Sequence, residues 1–462
     1  MNIRAVAALV LLPAATAAQS TERCSWSAPH GQRVVEVAPG IRNTYFGGGN
    51  IVMRCPDKGI RIDADSVESY EGEGRVYLIG KVRYTEPRLS VDSDYMTYFQ
   101  RDERVIANGN VFARLPNGST LRGPVAEYLR ATPSTRPVPR LHATGRPTIT
   151  LVQRDTTSGP PPAPATVVAN GVTMVGDSLV YAGGQVVVTR EDVLARADSM
   201  TLDSEREITV LMRGPSIEGR RERPFTLSGG RIELTGADRK LRRVLSMGTA
   251  RAVSEDMTLT SDTIDLRVAD DLLQRAIAWG PSRARAFSAA QNITSDSIDV
   301  TMPGQRIQEM HAVRGAVAQG RPDSTRFRAD TLDWMRGDTI VARFDTAAAT
   351  DTARTTRLRE LHAVGSAKSY YHLAAADSTM RRPAINYVTG REIVVDFQAS
   401  QVSKVTVVEQ AAGVYLEPVP TASGDTARTQ PATPSGAVPS PTNAAPRPQT
   451  RPAVPPVRRP ND

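Results

Sequence analysis

The chain has 462 residues, 40% hydrophobic and 23% charged, enough apolar content for several domains or one long repeat stack. Aromatics make up only 5%, which argues against an enzyme core rich in aromatic packing and leaves little for sugar stacking. The 57 Lys+Arg residues exceed the 49 Asp+Glu by a thinly spread +8. No dense basic cluster with interleaved aromatics accompanies it, so nucleic acid is not the expected partner; such a charge suits a solvated surface or an anionic lipid.

Residues 1–18 read as a secretory signal. Arg4 supplies the positive start and Ala5 to Leu12 form an apolar run too short to span a bilayer. Ala14 to Ala18 offer small residues for cleavage. A lead, 19–59, follows and carries both cysteines, Cys24 and Cys55. An even pair in an exported chain favours a disulfide, which would contribute about 3 kcal/mol by loop-closure entropy. Cys24 follows Thr21-Glu22-Arg23, which is not a lipoprotein context, so an exported protein without a lipid anchor is expected.

The next segment, 60–153, opens with one unit written twice. Asp65-Ser66-Val67 leads through Tyr70 and the turn Gly72-Glu73-Gly74 to Val76-Tyr77-Leu78-Ile79-Gly80-Lys81-Val82. The second copy runs from Ser93-Asp94 through Tyr98 to Val105-Ile106-Ala107-Asn108-Gly109-Asn110-Val111. Both Asp65 to Asp94 and Gly80 to Gly109 are steps of 29 residues, the mark of a repeat architecture. After a Pro-rich loop, 154–166, the unit recurs with drift through 167–417. Asp262, Asp296 and Asp330 are spaced by 34 and 34, and Gly145, Gly248, Gly280, Gly315 and Gly365 close short strands. An Ala/Thr/Asp insertion, 346–357, reads as a turn excursion. From 418 to 462 Pro, Ala, Thr and Ser dominate, too few large apolar residues to offset ordering entropy, and the segment reads as a disordered tail.

Alternation, β-branched residues and Gly/Asp/Asn turns make each unit about two strands. Counted from the repeat Gly, positions −4, −2, +2 and +4 hold Val76, Leu78, Val82 and Tyr84, and then Val105, Ala107 and Val111. Later copies place Leu141 and Ala143, Val244, and Ala276 and Ala278 on the same side. This parity should face inward, and Arg75, Lys81, Asn108 and Asn110 should face water.

The repeated Asp side chains are expected to bond backbone where strands bend, since Ca²⁺-binding nonapeptide spacing is absent. His142, His311 and His362 share one repeat slot and read as structural, with no metal site. No Gly-x-Ser-x-Gly, His-Glu-x-x-His or phosphate loop occurs, and no cofactor or enzyme activity is expected.

A signal followed by Ala-Asp-Ser-Val-x-x-Tyr, a turn and Val-x-Leu-x-Gly-x-Val resembles the OstA-like (organic-solvent-tolerance) family, which includes the periplasmic lipopolysaccharide transport protein LptA and the periplasmic part of LptD. The likeness is strongest over 60–128 and extends to about 417, longer than a single such domain. It implies an all-β, elongated open β-jellyroll of repeated strand pairs, with roughly ten strands per sheet and a body of about 50 Å. It also implies that the inward residues line a groove for acyl chains, and that the protein carries lipopolysaccharide or a related lipid through the periplasm towards the outer membrane. Expected partners are envelope proteins of the same fold, or other copies joined head to tail. Contact is expected near Ile60 to Ala64 at one end and Val402 to Val408 at the other. The competing expectation is a structural or adhesive repeat protein with a closed, packed core.

Overall fold

The computed structural model describes residues 24–152, 163–190, 193–220, 224–238, 240–288, 291–322, 329–345, 357–376, 382–398 and 401–419. The expected signal, the tail from 420, the 346–356 part of the insertion and most of the Pro-rich loop lie outside them. The fold is all-β: among the described residues thirty strands form one continuous antiparallel sheet, accompanied by two short 3₁₀ turns, Pro56–Lys58 and Pro303–Gln305.

The strands follow one another as a meander, but the long ones do not run straight. Gly80, Gly109, Gly184, Gly248 and Gly365 all have positive φ, and so do the residues after them, Lys81, Asn110, Gln185, Thr249 and Ser366. Two successive left-handed residues insert a kink into a strand. The ladder register shifts at each kink, as between Ile79 and Val82, Gly183 and Val186, or Val364 and Ala367. At Gly109 no other residue type fits easily: φ is +75°, and a Cβ would lie 2.5 Å from Asp94 Oδ2. Asp65, Asp94 and Asp262 therefore sit opposite the kinks at Gly80, Gly109 and Gly280, whereas Asp330 lies in the bend before the strand Asp333–Phe344 and Asp338 takes the place opposite Gly365.

The kinks fold the meander into two layers. In the strand Arg75–Glu86, residues 75–79 pair with Ser66–Tyr70 on one side and 95–99 on the other. Residues 82–86 pair instead with 89–93, and 83–85 also with 61–63. Where the kink is wider, separate strands serve the two layers: Arg140–Thr144 belongs to the first and Thr148–Leu151 to the second. The layers face each other, for Tyr84 of the second layer lies 6.2 Å from Tyr128 of the first, ring to ring. Near the other end Tyr371 and Phe397 meet across the layers at 6.4 Å.

Four expectations are corrected. The lead is not a separate segment: Ser25–Ser27, Gln32–Ala38, Ile41–Phe46 and Ile51–Cys55 are strands of the same sheet. Ile60–Ala64 is therefore an interior strand, paired with Ile51–Cys55 and Arg75–Glu86. Among the described residues the N-terminal edges are Ser25–Ser27 and Gln32–Ala38, and the C-terminal edges are Gln401–Val408 and Ala412–Leu416. The Pro-rich loop also ends earlier than 166, because Ala165–Val168 already pairs with Thr148–Leu151. Long strands serve both layers, so each layer is about twice as deep as the roughly ten strands expected.

Candidate functional site

The inner surface follows from strand alternation. All twelve side chains expected to face inward are buried, from 0% exposure at Val76, Ala143 and Ala278 to 5% at Leu141 and Val244. The parity continues where the repeats drift: Val180, Ala182 and Val186, then Met310, Ala312, Ala316 and Ala318, are buried in the same way. Small residues recur just before the kinks, at Ala107, Ala143, Ala182, Ala278 and Ala363, where the layers converge. Arg75, Lys81 and Asn110 are exposed on the opposite face, and Asn108 is half-buried there. Each large apolar side chain buried in this way contributes about 1.5–3 kcal/mol. The interior is closed to water at these positions, and the open groove expected from the sequence is here a packed seam.

Away from the kinks, the strand ends and their turns form two lips. Near the N-terminal end charged groups bind these lips together. Glu86, on the second-layer lip, has a side chain only 3% exposed. It accepts hydrogen bonds from the Tyr84 hydroxyl at 3.0 Å, from the Tyr128 hydroxyl, and from Arg130 Nε at 2.8 Å. Arg130 follows residues 125–129, the first-layer half of the strand Thr120–Leu129, and so reaches across the mouth. Its Nη2 donates to the Lys58 carbonyl at 2.6 Å, and its Nη1 lies 3.7 Å from Glu103. Glu103, on the first-layer lip, also pairs with Lys58 of the second-layer lip and accepts from the Tyr98 hydroxyl at 3.2 Å. Burial and the neighbouring carboxylates push the Tyr84, Tyr98 and Tyr128 hydroxyls well above the ordinary tyrosine range, so they remain donors. An exposed pair, Arg88 with Asp177 at 3.4 Å, adds a further tie across the mouth.

Further along, the lips meet mostly through apolar side chains, with Ser254, Glu255, Asp256 and Gln305 beside them. Phe225, Met257 and Leu259 of the second layer and Leu266, Leu273, Met302 and Ile307 of the first surround a cavity of about 70 Å³. A second cavity, of about 90 Å³, lies between the lips near the C-terminal end. Gln291, Gln319, Asp333, Tyr371 and His372 line it from one layer, and Leu361, Phe397, Gln401 and Val402 from the other. Asp333 accepts from the His372 backbone N–H at 2.8 Å and faces its Nδ1 at 2.7 Å. Burial pushes the Asp333 carboxyl up from its ordinary value, and the bonds to His372 oppose that rise.

The three repeat histidines stay on the outer face and are not brought together. His142 Nδ1 bonds Thr173 at 2.8 Å, His311 faces Glu309 at 3.3 Å and His362 faces Glu392 at 3.1 Å. Among the described residues no cluster of His, Cys, Asp and Glu could hold a metal ion. Cys24 and Cys55 are joined by a disulfide that clips the strands Ser25–Ser27 and Ile51–Cys55 together. No helix of the described chain is long and apolar enough to cross a membrane.

The inward parity was readable from the sequence, but the mouth was not. Glu86 could have been found, since it continues the inward series Val82, Tyr84 as the one charged member. Arg130, Glu103 and Lys58 carry no such signal, because their meeting depends on how the layers close. No known family model matches this chain, and no curated protein matches it as a relative.

Proposed function

We propose that this protein binds an amphipathic envelope lipid, lipopolysaccharide or a related molecule, and passes it through the periplasm towards the outer membrane without catalysis. Acyl chains lie between the two layers and the polar head stays at the mouth. The observation that carries this reading is the inner face: from Ile51 to Val395 it is lined by apolar side chains contributed by both halves of bent strands. Such a surface accommodates alkyl chains anywhere along its length if the lips part. The edge strands Gln32–Ala38 and Ala412–Leu416 expose Val34, Val37, Val414, Tyr415 and Leu416, which suits further strands from a partner of the same fold or from another copy.

A second reading is favoured by the closed packing. With every expected lining residue at most 5% exposed, the chain would be a structural or adhesive repeat protein with a dry core. Lipid extraction and mass spectrometry of the purified protein separate the two. Leu78→Asp and Val111→Asp should abolish co-purified lipid, because a carboxylate among acyl chains is costly to desolvate. Lys81→Asp and Asn108→Asp, on the outer face, should retain it. Circular dichroism establishes which variants are folded. Folded inward variants that retain lipid, or a wild-type protein that carries none, overturn the lipid reading.

A further inference from the structure

Resting on the lipid reading above, we propose that the apolar cavity midway along the mouth is a side portal through which one alkyl chain enters the interior. The site is built from both layers. Phe225, Met257 and Leu273 are half-buried at its opening, while Leu259 and Leu266 at its floor are 2% exposed and belong to the continuous core. A chain that passes the opening therefore meets the inner surface directly.

The contrast along the mouth supports the location. Near the N-terminal end, separating the lips means breaking the contacts of Glu86 and Glu103 with Arg130 and Lys58. Parting the lips there gives up the charge-assisted bonds around Glu86, whose side chain is 3% exposed, and an alkyl chain offers nothing to replace them. At the midway cavity most of the facing groups are apolar, with Ser254, Glu255, Asp256 and Gln305 also in the lining, and an incoming alkyl chain replaces the apolar contacts that the lips lose on parting. The loss there is compensated by the ligand itself, which is not possible at the clasp.

The lining also selects the class of occupant. Phe225–Ser228, Lys240–Ser254, Thr258–Ala269 and Leu272–Phe287 each have ladder partners on both sides. A peptide in the cavity would find no open sheet edge for its amide groups, and burying unpaired amides is costly. An alkyl chain carries no such groups. The chain's own segment 420–462 is a poor plug, for its largest apolar residues are Val438, Val454 and Val457.

The test uses the full chain and a monopalmitoyl glycerol carrying a diazirine at the end of its acyl chain. After brief incubation and irradiation, labelled peptides are mapped by mass spectrometry. Early label is expected on peptides containing Phe225, Met257, Leu273 or Met302, with later label on the inner strands. Leu273→Asp, which puts a carboxylate at the opening, and Ala252→Phe, which fills it, should each slow labelling of the inner strands by about tenfold or more. Both are compared with wild type by circular dichroism, and either folded variant suffices. Inner strands labelled at an unchanged rate in a folded variant, or label that appears first at the terminal strands, overturns the portal and leaves the lipid reading standing. Absence of label anywhere overturns both.

Discussion

Replacing Arg130 by Met tests whether charge holds the N-terminal mouth shut. The substitution keeps most of the aliphatic stem and removes the guanidinium. Glu86, with a side chain 3% exposed, then loses its cation but retains the Tyr84 and Tyr128 hydroxyls as donors. Breaking a buried pair by removing one partner costs about 3–5 kcal/mol. Arg130 is itself 25% exposed and the tyrosines still solvate Glu86, which moves the value to the lower end. Loss of the bond to the Lys58 carbonyl adds to it. The combined expectation is a local loss of about 2–4 kcal/mol. In a stacked β architecture such a loss is expressed locally, so amide hydrogen exchange is the suitable assay. Protection should fall in residues 56–60, 83–86 and 103–107, and stay unchanged in Leu272–Phe287. The double variant Arg130→Met with Glu86→Gln should lose less than the sum of the single variants, with a coupling of about 1–3 kcal/mol. Additive effects, or exchange at the lips that Arg130→Met leaves within about 0.5 kcal/mol of wild type, would refute the clasp.

Three further outcomes follow from the same geometry. Gly184 has φ +75° and a Cβ there would lie 2.5 Å from Asn170 Nδ2, while neighbouring Gly183 has open space and no left-handed φ. Gly184→Ala should therefore cost roughly 1–3 kcal/mol in chemical denaturation and Gly183→Ala should be close to neutral; equal effects would remove the kink argument. Asp92 bonds Arg83 at 2.6 Å and Arg114 at 2.8 Å. Its burial alone would raise its pKa, but the two arginines hold it below 3.8. The folded state then binds fewer protons than the unfolded state in that window, so the stability this carboxylate adds is present above pH 3.8 and fades as pH falls through the folded value. Asp92→Asn should cost at most about 1 kcal/mol at neutral pH because both partner arginines are largely exposed, and the gap to wild type should close in acid; a gap independent of pH would contradict the pairing. Reducing the disulfide between Cys24 and Cys55, separated by 31 residues, should release about 3–4 kcal/mol of loop-closure stabilisation. The expected site of increased exchange is Ser25–Ser27 with Ile51–Cys55, and unchanged protection there would mean that strand pairing alone holds the lead.

The strands and their inward faces were legible in the sequence because both depend on local rules. A side-chain period of two assigns Val76, Leu78, Val82 and Tyr84 to one face without reference to any partner strand. A glycine at the centre of each run marks a bend, since few other residues adopt the required φ. What the sequence alone left open is what the bends accomplish once many of them align. Arg130 and Glu86 are 44 residues apart and meet only because successive kinks fold the meander on itself. The same closure brings Phe225 opposite Leu273 and turns the expected groove into a packed seam. The end of the sheet shows the limit of a local reading as well. Ile60–Ala64 alternates as an edge strand could, yet Ile51–Cys55 covers it. Alternation says which way a side chain points, and tertiary pairing alone decides what lies beside it.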